Sequence, residues 1–356
     1  MLKTVHHADG TNRQVHLNGW KKQAADKRDE EFRLKLHTAF VKLAPSYDNR
    51  PICSPVVDQG ALGSCTANMF AGLVEANEIK RIGPNYVSLH ALGTLPQVGV
   101  SNVAVDAHGV ISYLTTVTPV PAPTPPTPPT PPVPPAPPPA PPTPPTPPAP
   151  PAPPPAPPTP PAPVKLERAS RLFEYYATRK IEKTVNEDSG ASIRDAIKAG
   201  ALYGIADEAV YPYDISKFTQ NPPATVWTAA ATHKVTSYHS VSDGDLQTMK
   251  SVLASGFLVG FGFNVYDFFM SAEMASTGLL PVPGPNEQLQ GGHAVCLVGY
   301  DDNKVMPDGS KGAFLVRNSW GTGWGWQGSG YFWQSYAYVG DPSLASDFWV
   351  VVSSPI

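Results

Sequence analysis

Cys65, His293 and Asn318 have the types and local settings that a thiol nucleophile requires. Cys65 closes the run Gln59-Gly-Ala-Leu-Gly-Ser-Cys65 and opens an apolar stretch with helical spacing. Met69, Phe70, Leu73 and Val74 share one face of that stretch, and Gly83-Pro84 ends it. A thiol on the first turn of a helix lies at the positive end of the helix dipole, which favours thiolate over thiol. The glycines let backbone approach closely, and Gln59 supplies an amide donor for an oxyanion. A sulfur nucleophile also needs a base, and the base needs an orienting partner. Of nine histidines, His6, His7 and His16 fall in a charged leader and His233 and His239 in polar stretches. His293 instead opens the apolar strand Gly-Gly-His293-Ala-Val-Cys-Leu-Val-Gly-Tyr300. Asn318 follows a second strand in Asn318-Ser-Trp320-Gly-Thr-Gly-Trp-Gly. An asparagine accepting from one imidazole nitrogen fixes the tautomer and aims the other at sulfur, and an adjacent tryptophan shields that bond from water. Each piece alone also has a structural reading: an inert buried cysteine, a core histidine, a tryptophan-rich turn.

Taken together the three strings resemble the papain-like cysteine peptidases. Tyr203-Gly-Ile205 and Tyr211-Pro-Tyr213 resemble mid-chain landmarks of that family, and Leu43-Ala-Pro-Ser-Tyr-Asp48 resembles its mature start. The resemblance covers roughly 43–92 and 166–352. It implies Cys65 as nucleophile, His293 as base and then acid, Asn318 as orienter and Gln59 as oxyanion donor, with Ser64 and Trp320 in support. It further implies a resting thiolate–imidazolium pair and substrate backbone held at Gly63, Gly190, Ala191 and Gly292, where a peptide adds as a strand. No metal or cofactor is implied. Cys65 and His293 stand 228 residues apart. Without 93–166 that separation becomes 154, against ~130–150 for the family. Asn318 remains distant at 179 after the same subtraction, part of which the polar loop Asp301–Gly312 accounts for. Departures from the family pattern are Leu62 and a position near Asp188 in place of its usual disulfide pair, Thr66 in place of an aromatic, and Gly292 before the histidine. They match a disulfide-poor bacterial branch.

The elements that must position these residues fall in order along the chain. Helical spacing recurs at Leu172, Phe173, Tyr176 and Ile181, from Ser192 to Leu202 ahead of Gly204, and from near Asp243 through Leu246, Met249, Val252 and Leu253 to Gly256. The period then changes, and 257–263, 294–300, 313–317, 331–333 and 348–352 read as strands. Helices first and strands last indicate an α+β fold of two lobes, with a cleft between them. The resemblance makes this a helical left lobe and an antiparallel, barrel-like right lobe. Residues 1–41 are charged and read either as a solvated leader or as a short pro-segment covering the site. The resemblance implies a peptidase domain over 42–92 and 166–356, with 93–165 an insertion that reads as irregular over 93–118.

Within the insertion, residues 119–163 hold 30 prolines in 45 positions. Such a tract forms neither a helix ladder nor a central strand and reads as polyproline II, ~140 Å if extended. Its PxxP windows suit a proline-recognising domain as partner. The rest of the chain, about 310 residues, is enough for one large or two modest lobes. A net charge of −3 gives no electrostatic case for nucleic acid. Three cysteines (Cys53, Cys65, Cys296) make no disulfide framework. The N-terminal residues lack a signal-peptide core, and the most apolar stretch, 251–270, carries Asn264 and Asp267. These features favour an intracellular protein, expected to be a monomer, and the resemblance implies peptide or protein substrates. The alternatives are a catalytically silent papain-like fold displaying the proline tract, or an acyltransferase that passes the thioester to an amine.

Overall fold

The computed structural model describes residues 2–24, 26, 29, 43–82, 103–105, 111–113 and 168–353. The proline tract and most of the insertion lie outside the described residues.

The chain opens on an antiparallel hairpin, β1 (Leu2–His6) and β2 (Asn12–His16), with Leu2 opposite His16. Gly10 makes its turn at φ +83, and the Asp9 carboxylate accepts from the Thr11 N–H at 2.9 Å. β3 (Ser46–Asp48) precedes the 18-residue helix α1 (Cys65–Ile82). Two short strands, β4 (Val103–Val105) and β5 (Ile111–Tyr113), pair antiparallel in the stretch expected to be irregular. Three helices follow: α2 (Arg171–Glu182), α3 (Ile193–Leu202) and α4 (Ala224–Ala230). Ser170 and Ser192 cap α2 and α3 by accepting from the Phe173 and Asp195 N–H groups.

The remaining chain alternates strand and short helix: β6 (Ser237–Val241), α5 (Leu246–Ala254), β7 (Val259–Tyr266), α6 (Ala272–Thr277), β8 (Leu279–Leu280), β9 (Leu289–Val305), β10 (Lys311–Arg317), β11 (Tyr331–Ser335), α7 (Tyr336–Val339) and β12 (Ala345–Ser353). They build one eight-stranded sheet in the order β6-β12-β7-β9-β10-β11-β8, with β3 on β9; β8 runs parallel to β11 and the other pairings are antiparallel. The polar loop expected at Asp301–Gly312 is instead largely hairpin. β9 runs on to Val305, which pairs with Lys311, so polar residues there occupy an exposed strand end.

Three apolar clusters join these elements. One fills the sheet lobe around Phe261, Phe263, Phe269 and Trp324 and takes in Val5, Val15 and Leu17 of the leader. A second fastens α1 to the sheet through Met69, Leu73, Cys296 and Val298. The third lies within the helical lobe, with Leu62, Ala67, Phe173 and Val226. The outcome is an α+β fold of two lobes that meet along α1.

Candidate active site

Cys65 is the first residue of α1 and is buried. The Ala294 N–H reaches its sulfur, which places the thiol against β9 beside His293. The His293 Nε2 lies 2.8 Å from the Asn318 Oδ1, which also accepts from the Ser319 N–H at 2.8 Å. The His293 Nδ1 has no hydrogen-bond partner among the described residues. Trp320 lies with its ring 5.0 Å from the imidazole, and Phe263 and Phe269 close the other sides, so water cannot compete for the His293–Asn318 bond. Gln59 is held at both ends of its amide: Oε1 accepts from the Ser319 hydroxyl at 2.6 Å and Nε2 donates to the Leu62 carbonyl at 3.0 Å. A second N–H on that nitrogen remains. Ser64 is fixed by the Tyr213 hydroxyl, which also donates to the Gln59 carbonyl at 2.9 Å. Cys65, His293, Asn318, Gln59, Ser64 and Trp320 thus converge. Cys296 instead donates to the Met69 carbonyl in the core, and Cys53 to the Asn49 carbonyl.

The leader runs through the cleft. Arg13 on β2 donates to the Trp320 carbonyl and pairs with Asp58. Asn18 N–H donates to the Gly292 carbonyl at 3.1 Å. Ala191 N–H then donates to the Gly19 carbonyl (2.9 Å), and Lys21 N–H to the Ala191 carbonyl (3.0 Å), forming a parallel bridge around Trp20. Gly19 passes directly over the thiol: a Cβ there would fall 2.5 Å from the Cys65 sulfur and 2.8 Å from the Gly63 carbonyl oxygen. All four backbone positions expected to hold substrate, Gly63, Gly190, Ala191 and Gly292, lie against this segment. Gly190 differs in detail, since its N–H donates to the Tyr175 hydroxyl (3.2 Å) rather than to the added strand.

Occlusion sets the protonation states. Burial pushes the Cys65 thiol up to about 12 and the His293 imidazole down to about 4. In this closed arrangement burial works against both charged forms, the thiolate and the imidazolium. The sign follows by linkage. A histidine lowered in the folded form stabilises it above pH ~6.5 and ceases to as pH falls towards the lowered value; a raised thiol stabilises it below ~9 and ceases to as pH climbs. His7 and His16 on the leader hairpin are lowered by burial too, while Asp243 and Asp347, raised by burial, act in the opposite sense. With three histidines against two carboxyls, the leader is expected to loosen between pH 6.5 and 4. Amide exchange at Asn18 and Lys21, corrected for intrinsic rates, should lose protection over that interval; constant protection would contradict it.

Several residues of the site were not legible as such in the sequence. The Asp188 carboxylate accepts from the Gly63 N–H (3.0 and 3.2 Å) and from the Tyr175 hydroxyl (2.6 Å), and lies 3.7 Å from the His16 ring. It braces the cysteine turn at the place where the family pattern has a disulfide. Ser319, Tyr213 and Asp347 likewise act only through partners distant in sequence. Asp188→Ala should lower kcat by about 10- to 100-fold through misplacement of Cys65. Asp188→Asn, which keeps an acceptor, should lose less; equal losses would deny the brace.

A helical lobe and an antiparallel sheet lobe, meeting at a buried Cys-His-Asn arrangement, define the papain type of thiol site. Residues 183–345 match the papain family cysteine protease model. An uncharacterized peptidase C1-like protein of Acanthamoeba polyphaga mimivirus is 41% identical over 196 residues, 52% of this chain; the chain spans 60% of that relative's length. Among solved structures, xylellain, a cysteine protease from Xylella fastidiosa, is 27% identical with a TM-score of 0.65, covering 96% of this chain and 98% of its own. Digestive procathepsin L2 from Tenebrio molitor larval midgut shares the fold at 18% identity and TM-score 0.57, over 95% of this chain and 78% of its own.

Proposed function

We propose that this chain hydrolyses peptide bonds by thiol catalysis and that residues 17–21 hold it closed. The observation that carries the reading is the His293 imidazole, bonded through Nε2 to Asn318 with Nδ1 unpartnered among the described residues and close to the buried Cys65. Once the leader withdraws, water and the helix dipole favour proton transfer from Cys65 to His293. The thiolate attacks the peptide carbonyl, and the oxyanion is met by the Cys65 N–H and the Gln59 amide. His293 returns the proton to the departing amine, leaving a thioester that water hydrolyses. The peptidase domain comprises 42–92 and 166–356, with 93–165 as an insertion in its sequence. The test is to incubate the full chain with a mixed peptide library, with and without prior alkylation of Cys65, in water and with added amine. Hydrolysis that alkylation abolishes supports the reading. Amine adducts in place of hydrolysis would favour acyl transfer, and no turnover after leader displacement would leave a silent fold.

A further inference from the structure

The β1–β2 hairpin is seated apart from the segment that crosses the thiol. Val5, Val15 and Leu17 are fully buried in the sheet-lobe core, in one cluster with Phe269 and Trp324. The Ala8 N–H donates to the Gly323 carbonyl at 3.3 Å, and a Cβ at Gly323 would meet the His7 Nδ1 at 3.7 Å. Asn18, at φ +96, marks the bend after which the chain crosses Cys65 at Gly19. The chemistry says which part of the cleft the hairpin occupies. His293 must give a proton to the departing amine, so the leaving part of a substrate lies towards His293 and Trp320. On that side Trp320 is bridged to Asp58, and the Gly321 N–H donates to the Val57 carbonyl at 2.9 Å. Arg13 on β2 lies across this joint: its Nη1 donates to the Trp320 carbonyl and its Nη2 pairs with Asp58. The Arg13 side chain is 16% exposed, against 52% for Asp58. A guanidinium carries five N–H donors, so these two contacts leave donors for a second carboxylate.

We propose that the hairpin stays in place when residues 18–21 lift, and that it walls off the leaving-group side of the cleft. Arg13 then holds the free carboxylate of a substrate's C-terminus, and the chain removes short C-terminal pieces from peptides. The proposal rests on the hydrolytic reading above. Lifting the crossing segment exposes Trp20 and opens Cys65 to solvent. Withdrawing the hairpin as well would expose Val5, Val15 and Leu17, three side chains at 0% exposure, with nothing gained at the sulfur. A polypeptide that runs on past the cleaved bond meets β2 where its backbone must continue, whereas one that ends there fits. Such an end carries a carboxylate, and the fixed guanidinium of Arg13 is the group that can pair it with charge-assisted hydrogen bonds. Asp58 yields its share of Arg13 at little cost, because an ion pair with a half-exposed partner is weakly held. A C-terminal amide offers a neutral acceptor and forgoes the charge. The discrimination expected is about 10- to 100-fold in kcat/KM.

The test uses the full chain carrying Gly19→Ala, which displaces the crossing segment. Peptides of identical sequence, ending in a free acid or in an amide, are incubated with it and their earliest products identified by mass. Free-acid peptides should lose short C-terminal pieces, about 10- to 100-fold faster in kcat/KM than their amides. Adding Arg13→Gln should bring the acid:amide ratio close to one, while Arg13→Lys, which keeps the charge, should retain most of it. Internal cuts among the earliest products, equal cleavage of acid and amide, or a ratio that survives Arg13→Gln overturns the proposal. A second measurement needs no turnover: the dipeptide Ala-Phe and its amide are compared as protectants of Cys65 against iodoacetamide in the Gly19→Ala chain. The acid should protect at about 10-fold lower concentration than the amide, and Arg13→Gln should remove the difference. Equal protection by the two, or none by either, overturns the anchor whether or not peptides are cleaved. Protection by the acid without turnover of any peptide would sink the hydrolytic reading and leave the anchor standing.

Discussion

Cys65→Ser is expected to lower kcat for peptide hydrolysis by on the order of 10⁴-fold or more, measured on a peptide that the parent chain cleaves. A nucleophile, its base and its orienter act as a unit, so removing one member forfeits most of what the set supplies. The substitution keeps the size of a side chain with 0% exposure, on the first turn of α1, so folding should change little. The hydroxyl cannot reach the anionic form that sulfur attains beside His293, because its intrinsic acidity is far lower. His293→Ala should cost a similar factor, and the double variant scarcely more than either single one. Retention of even a few per cent of turnover in Cys65→Ser would remove Cys65 from the mechanism.

Gly19→Ala is expected to act in the opposite direction. Its Cβ would press on the Cys65 sulfur and on the Gly63 carbonyl, neither of which can retreat. Gly63 is pinned by Asp188 and the sulfur sits in the core between α1 and β9. The leader must therefore lift at this point, while Val5, Val15 and Leu17 keep the hairpin seated in the sheet-lobe core. Overpacking of this kind costs ~1–3 kcal/mol, which is about 5- to 150-fold in the open-to-closed ratio. Cys65 alkylation and peptide turnover should rise together by that factor. A rise in neither would mean that Gly19 is not what closes the site.

The candidate site was legible because its chemistry is written locally. Cys65 behind its glycines, His293 behind Gly292 and Asn318 ahead of Trp320 are each recognisable within a few residues. The longer helices were legible for a similar reason, with caps and apolar spacing such as Ser192 ahead of Ile193–Leu202. The leader was harder. β1 and β2 bury single valines, Val5 and Val15, among polar neighbours, and five-residue strands give a weak periodic signal. Asp9-Gly10 was the available clue, a dipeptide that favours tight hairpin turns. The Asp188–Gly63 bond joins residues 125 apart, and nothing near either one announces the other. Asp347 reads as one acid in a strand until a register slip between Ser346 and Trp349 turns it towards Trp20.

A leader on the same chain is a ligand that never dilutes. A tethered segment meets its site at an effective concentration in the millimolar range, independent of how much protein is in the tube. A free peptide competing for the cleft at Ala191 and Gly292 must outbid that value, and the affinity observed for it is its intrinsic affinity scaled by the fraction of chains that stand open. Dissociation constants measured for inhibitors on the unaltered chain will therefore rank the leader's grip as much as the inhibitor's fit. Agreement of two inhibitors' affinity ratios between the parent and Gly19→Ala chains, with both absolute values shifted by one common factor, is the signature of that tether.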